Sequence, residues 1–207
     1  MLVNLRPLID ARMTVFYLLR HGEHSLQGKL VAGRTPGISL SQRGQGEAEA
    51  AAERLADAGI AAIYASPLER AQETAAIIGG RLDLPVATHG DLNELDFGDW
   101  TGLTFDAVRQ DPRWPAWASH RSLSCIPGGE TMREVQRRMV ETLMELRALH
   151  PEGGVVLASH GDPIRAALCF CLGMPLDFYG RIEVGTGSLS TVRIADAGIC
   201  VTAINRR

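Results

Sequence analysis

Residues 15–25 read Val15-Phe16-Tyr17-Leu18-Leu19-Arg20-His21-Gly22-Glu23-His24-Ser25. An unbroken apolar run from Val15 to Leu19 has the length and composition of a strand buried on both faces. It stops abruptly at an arginine, a histidine, a glycine, an acid and a second histidine. A buried strand that ends in bases is delivering them to a rim. In open α/β sheets, ligands bind beyond the carboxyl ends of the strands.

The rest of the chain repeats the design. Ser41–Ala58 reads as a helix, with Ser41 as N-cap and Gly59 as stop. Ala61–Ala65 reads as a strand, followed by a helix from Pro67 to about Ile78. Glu130–Leu149 reads as a long amphipathic helix. Val155–Ser159 is a second buried strand, followed by a helix over Pro163–Leu172. Strands are expected near Ser188–Ile194 and Ile199–Ile204. Alternating strands and helices imply an α/β fold, a three-layer α/β/α sandwich around a mainly parallel central sheet. Three strands then end in polar residues: Arg20-His21-Gly22, Ser66 through Arg70, and His160-Gly161-Asp162. If those strands are parallel neighbours, Arg20, His21, Arg70 and His160 gather at one rim. Two guanidiniums, two imidazoles and free helix N–H groups make a phosphate pocket.

Composition narrows the classes. The chain has 207 residues, 45% of them hydrophobic, which suits one substantial core. No linker, repeat or low-complexity run divides it. One domain over residues 14–207 is expected, behind an N-terminal extension at 1–13, with a lid or specificity segment at about 103–129. The net charge is -3, from 21 Lys+Arg and 24 Asp+Glu. That argues against a nucleic-acid partner, since no global basic field exists. No apolar stretch is long enough for a membrane span, and no signal peptide is evident, so a cytoplasmic setting is expected. The four cysteines fit neither a zinc pattern nor a dense disulfide framework. His21 and His24 lack the H-E-x-x-H spacing and the carboxylate cluster of a metal site, so neither metal nor cofactor is expected. A homodimer is one arrangement left open.

Taken singly, each motif is weak, because a histidine after a strand is usually structural and an arginine is usually surface charge. Together, Arg20-His21-Gly22, GRTPGISLSQRGQGEAEA (Gly33–Ala50), SPLERAQETA (Ser66–Ala75), LNELDFGDWTG (Leu92–Gly102), PGGET (Pro127–Thr131) and SHGDPIRA (Ser159–Ala166) resemble the histidine phosphatase superfamily. That clan includes cofactor-dependent phosphoglycerate mutase, and the motifs stand in its order from Thr14 to about Ser190. The resemblance implies a phosphoglycerate mutase-like fold and a phosphohistidine intermediate. It implies His21 as nucleophile, with Gly22 holding its other ring nitrogen. Arg20, Arg70 and His160 would grip the phosphoryl oxygens, and Glu94 would be the proton donor, with a raised pKa. Gln27, Gly33, Arg34 and Gly161 are expected to contact substrate. Gln27 stands where relatives often carry a phosphate-contacting asparagine, and His24 is an unusual residue at its place.

The small compact layout resembles the bacterial branch of broad-specificity and α-ribazole phosphatases, which implies a phosphomonoesterase acting on a small phosphorylated metabolite. The alternatives are a phosphomutase, which hands the phosphoryl group back to a bound product, and a non-catalytic phospho-ligand scaffold. Retention of all five catalytic-type residues counts against the scaffold. Trp114 and Trp117 either meet an apolar leaving group or simply pack the lid onto the core.

Overall fold

The computed structural model describes residues 12–207. The expected extension at residues 1–13 falls mostly outside them. Six strands form one sheet: β1 (Met13–Arg20), β2 (Ile60–Ala65), β3 (Val86–Thr88), β4 (Gly153–Ser159), β5 (Leu189–Ala195) and β6 (Gly198–Arg206). Their order is β3-β2-β4-β1-β5-β6. The pairs β3–β2, β2–β4 and β4–β1 are parallel, and β5 and β6 add an antiparallel edge. The expected layered α/β architecture is therefore present.

Side-chain alternation explains the two covering layers. Adjacent strand residues point to opposite faces, so Leu18 and Val155 join one apolar cluster while Leu19 and Val156 join the other. The second cluster takes α1 (Gln42–Leu55) and α2 (Glu69–Leu82) through Ala51, Ala52, Leu55, Ala75 and Ile78. The first takes α5 (Met132–Leu149) and α6 (Gly161–Cys171) through Val135, Met139, Leu143, Ile164 and Leu168. Helix ends follow local chemistry. The Ser41 hydroxyl accepts the Gly44 N–H at 3.1 Å, and Thr131 and Glu134 form a reciprocal capping box at the start of α5.

Several boundaries differ from the sequence reading. α2 starts at Glu69, not Pro67, because Leu68 is the extended N-cap. α6 starts at Gly161, with His160 as N-cap and Pro163 inside its first turn. α1 ends at Leu55, and a turn carries the chain on to Gly59, whose φ is +62°. β3 carried no readable signal, being only three residues long. The expected lid contains two short helices, α3 (Phe105–Gln110) and α4 (Trp114–Ser119).

Candidate active site

The parallel register assembles the rim. Arg20 on β1 pairs with Ser159 on β4, so the next residues, His21 and His160, lie side by side. Their ring centroids are 5.0 Å apart, and the His21 N–H donates to the Ser159 carbonyl at 3.0 Å. On the other side of β4, Ala65 pairs with Ala158 and the Ser66 N–H continues the ladder. The Ser66 hydroxyl thereby sits 2.7 Å from His160 Nε2. Arg70 reaches the same place from the first turn of α2 and is almost wholly buried.

A close backbone approach holds the Gly22 loop. A Cβ on Gly22 would lie 2.3 Å from the Gly44 carbonyl oxygen, and one on Gly44 would lie 2.1 Å from the Glu23 carbonyl oxygen. Only glycine at both positions lets the start of α1 press against the end of β1. The Gly22 N–H donates to Thr74 Oγ1 at 3.0 Å, and Thr74 donates to the Arg70 carbonyl. His21 Nδ1 lies 2.7 Å from the Gly22 carbonyl oxygen. A carbonyl only accepts, so Nδ1 carries the proton and Nε2 keeps its lone pair.

Electrostatics at the rim run one way. Burial, then the Arg70 and Arg20 charges, holds the His21 imidazole well below its ordinary pKa, so it stays neutral. Burial, followed by His21 and Arg70, does the same to His160. His24, its ring 5.4 Å from that of His21, is lowered to about 4 by burial and the same two arginines. Glu94 moves oppositely. Burial raises its carboxyl to about 7, Asp162 adds to the rise, and Arg70 and Arg20 oppose it.

Glu94 lies between two single-turn 3-10 segments, Gly90–Leu92 and Gly98–Trp100, on a heavily tied loop. Its carboxylate accepts the Leu95 N–H at 2.8 Å. Its carbonyl accepts from Arg34 Nε at 2.8 Å and Arg138 Nη2 at 3.3 Å. Arg138 also donates to the Asp91 carbonyl, and Ser159 Oγ donates to that of Leu92. Glu130, from the PGGET motif, pairs with both arginines, at 2.9 Å to Arg34 and 2.8 Å to Arg138. Arg34, expected at the substrate, thus spends its donors on this clamp.

Gly33 turns its carbonyl to Arg70 Nη2 at 2.8 Å. Gln27 lines a small cavity with Arg20, His21, His24, Arg70, Phe97 and Phe105. Gly161 lines an adjoining cavity with Arg20, Asp162 and the lid. Sequence reasoning missed Ser66, Thr74, Phe97, Phe105, Asp162, Glu130 and Arg138. Ser66, Thr74 and Asp162 sit inside quoted motifs and were legible as neighbours. Arg138 had no local signal. Among the described residues, no group of three or more His, Cys, Asp or Glu could hold a metal ion, and no helix is long and apolar enough to cross a membrane.

One feature of the rim stands out chemically. Arg20 Nε, Arg70 Nε and Nη1, His24 Nδ1, His160 Nδ1 and Gln27 Oε1 are buried and lack a hydrogen-bond partner among the described residues. An unmet buried polar atom costs about 1–3 kcal/mol. The converging guanidinium N–H groups of Arg20 and Arg70 beside one imidazole have the chemistry of an anion site.

Residues 16–207 match the family model described as the histidine phosphatase superfamily (branch 1). The chain is 35% identical over 199 residues to a bifunctional protein of Mycobacterium tuberculosis, covering 93% of this chain and 54% of that one. It therefore spans about half the length of the first curated relatives it matches. It is 33% identical over 200 residues to a glucosyl-3-phosphoglycerate phosphatase of Mycolicibacterium vanbaalenii, covering 89% of this chain and 85% of the relative. The solved structure of a putative alpha-ribazole-5'-P phosphatase from Escherichia coli K-12 superposes with a TM-score of 0.83 at 25% identity, covering 94% and 97% of the two chains. With its rim residues and its matched length taken together, this chain belongs to the histidine phosphatase superfamily, branch 1.

Proposed function

We propose that the chain is a metal-independent phosphoric monoester hydrolase that works on small phosphate esters through a phosphohistidine. The observation that carries this reading is the set of unpartnered buried guanidinium donors of Arg20 and Arg70, together with the unpartnered ring nitrogens of His24 and His160, around His21. They match the non-bridging oxygens of a phosphoryl group, and arginine forks suit those oxygens best.

The steps follow from the tautomers. His21 donates Nδ1–H to Gly22, so the Nε2 lone pair attacks phosphorus. The P–O ester bond breaks, and the leaving oxygen takes the proton of Glu94, whose pKa near 7 leaves about half of it protonated at neutral pH. Water then attacks phosphorus and gives its proton to the Glu94 carboxylate. The P–N bond breaks and its electron pair returns to Nε2. Ser66 Oγ lies 3.4 Å from the Leu68 N–H and 2.7 Å from His160 Nε2. It accepts the first and donates to the second, which leaves His160 Nδ1–H to bind phosphate. Arg20 and Arg70 stabilise the charge on the equatorial oxygens. The fine specificity, whether broad or α-ribazole phosphatase-like, belongs to the leaving-group side.

The test is phosphate release from p-nitrophenyl phosphate in EDTA, wild type beside His21→Ala. Release by wild type alone supports the reading. Release that EDTA abolishes and a divalent metal restores overturns metal independence. No release from either protein, with label from a phosphate donor reappearing on an acceptor, would establish a mutase instead.

A further inference from the structure

Behind the loop that follows β1 lies a cavity of about 280 Å³ that shares no residue with the two cavities at the rim. It opens between α1 and the end of β6, and its walls include Arg43, Glu47, Arg54, Thr186, Gly187 and Arg207. Positions 43, 47, 50 and 54 stand three or four apart, so one face of α1 supplies two of the three guanidiniums. Arg207 follows β6 and supplies the third. A Cβ on Gly185 would overlap the Arg207 guanidinium, so glycine at that place seats the guanidinium directly on backbone.

The charge in this cavity is unbalanced. Glu47 is the one carboxylate in its walls, and both of its oxygens are taken. Oε1 accepts from Arg43 Nε at 3.2 Å, and Oε2 accepts the Glu23 N–H at 3.0 Å. Arg43 also pairs with the Glu23 carboxylate at 3.3 Å. Arg54 and Arg207 make no hydrogen bond and no ion pair among the described residues. Two uncommitted forks on one cavity match two anionic groups held close together, since each fork takes oxygens bidentately.

The cavity floor is bonded to the loop that carries His21. Glu47 holds the Glu23 N–H, and the Gly187 N–H donates to the Arg20 and His21 carbonyls at 3.1 and 3.2 Å. Gly187 has a φ of +66°, and a Cβ there would lie 2.7 Å from Glu47 Cβ, so these two floor residues pack directly together. An occupant that draws Arg43 to itself takes the cation from the Glu23 and Glu47 carboxylates, two residues along the chain from His21.

We propose that this cavity is a second anion site, taking a small molecule with two adjacent phosphate groups, and that its occupant shifts the loop that carries His21. A single phosphate leaves one fork unmet, and three guanidiniums favour the higher charge of a diphosphate over a dicarboxylate. Binding at this site is independent of the phosphatase reading, and only its consequence for turnover rests on that reading.

The test is a titration of inorganic pyrophosphate into isotope-labelled wild type, followed by NMR at about 0.15 M salt. The Gly46 and Ala50 amides report on the cavity, and the Glu23 and Gly187 amides report on the loop. All four signals are expected to shift together, with one Kd below about 1 mM. Arg54 and Arg207 are exposed, so Arg54→Ala/Arg207→Ala should keep the wild-type unfolding temperature. It should weaken that Kd by about tenfold or more and leave any response of the His160 amide at the rim unchanged. Malonate should bind the cavity several-fold more weakly than pyrophosphate. Unmoved Gly46 and Ala50 signals overturn the proposal, as do shifts that survive the double substitution. Cavity signals that move without Glu23 and Gly187 overturn the link to the loop, and equal binding of malonate overturns the diphosphate. Failure of the phosphatase reading is a separate outcome. In that case wild type hydrolyses no p-nitrophenyl phosphate, yet the Arg54- and Arg207-dependent shifts remain.

Discussion

The proposed phosphate rim and the proposed lid, residues 103–129, are built by different physics. The rim sits at the ends of β1, β2 and β4, where the parallel hydrogen-bonded register fixes the backbone that carries each side chain. His21, Arg70 and His160 are essentially closed to solvent, and each is fixed by a backbone or hydroxyl partner. The lid rests on two short helices and a tryptophan stack. Trp100 lies 6.0 Å from Trp114 and 6.2 Å from Trp117, centroid to centroid, and its Nε1–H donates to Asp111. Beyond that stack the lid is tied down by surface contacts such as Ser122 to Asp177. The rim is rigid where chemistry is common to all phosphate esters. The 103–129 segment is the part that a change of sequence can reshape without moving His21.

If that division is right, rim substitutions should remove chemistry and lid substitutions should cost stability or selectivity. The largest effect is expected for His21→Ala. Turnover should fall by about 10⁴-fold or more, because the substitution removes the imidazole whose Nδ1–H is held by the Gly22 carbonyl and whose Nε2 lone pair is thereby free to take the phosphoryl group. Activity within a few-fold of wild type in a steady-state assay would falsify the nucleophile assignment. Glu94→Gln comes next. It should slow alkyl phosphates by roughly 10²–10³-fold and aryl phosphates much less, since aryl leaving groups need no proton. Equal losses on both would remove Glu94 from the role of acid.

Glu94 also fixes the pH dependence. Its carboxyl titrates near 7, so kcat on alkyl esters should decline as pH rises through 7. His21 and His160 titrate well below 6.5 and should impose no fall between pH 6 and 7. The stability effect has the same sign. The folded pKa lies above the unfolded value of about 4.3, so the contribution is complete below pH 4 and is lost as pH rises through 7. Glu94→Gln should therefore raise denaturant stability at pH 8 relative to pH 5, on the order of 1 kcal/mol. A pH-independent difference in urea titrations would count against an ionising buried carboxyl.

Trp117→Ala tests the other half of the comparison. The side chain is 1% exposed within the main apolar cluster, so its removal should cost about 3–5 kcal/mol of stability. The folded fraction should still hydrolyse p-nitrophenyl phosphate, and loss of all specific activity would mean that the lid orders the rim. The smallest effect is expected at Phe105, which borders both cavities while 37% exposed. Phe105→Ala should raise KM a few-fold and leave the unfolding temperature nearly unchanged. A large drop in that temperature would make Phe105 a packing residue instead.

Much of the site was legible because the motifs sit at strand ends. His21, Arg70 and His160 fall where the alternation of buried strands and helices leads one to look. Arg34 shows where that legibility stops. It stands in a motif as quotable as the others, yet its guanidinium is taken by the Glu94 carbonyl and Glu130. That clamp closes across 96 positions between Arg34 and Glu130, and Arg138 joins it from α5. No periodicity records such a closure. β3 was missed for a simpler reason. Three residues, two of them exposed, leave no pattern to read.

The sequence by itself determined the layered α/β plan, the family and the identity of the groups at the rim, because apolar periodicity and strand-end motifs are local. Tertiary structure decided what those groups can do. The β1–β4 register sets two histidines 5.0 Å apart, and the Gly22–Gly44 contact fits α1 against the loop that follows His21. Burial turns Glu94 into an acid that titrates near 7 and keeps His21 neutral. Those properties come from desolvation and from charges distant in the chain, and both exist only once the chain has packed.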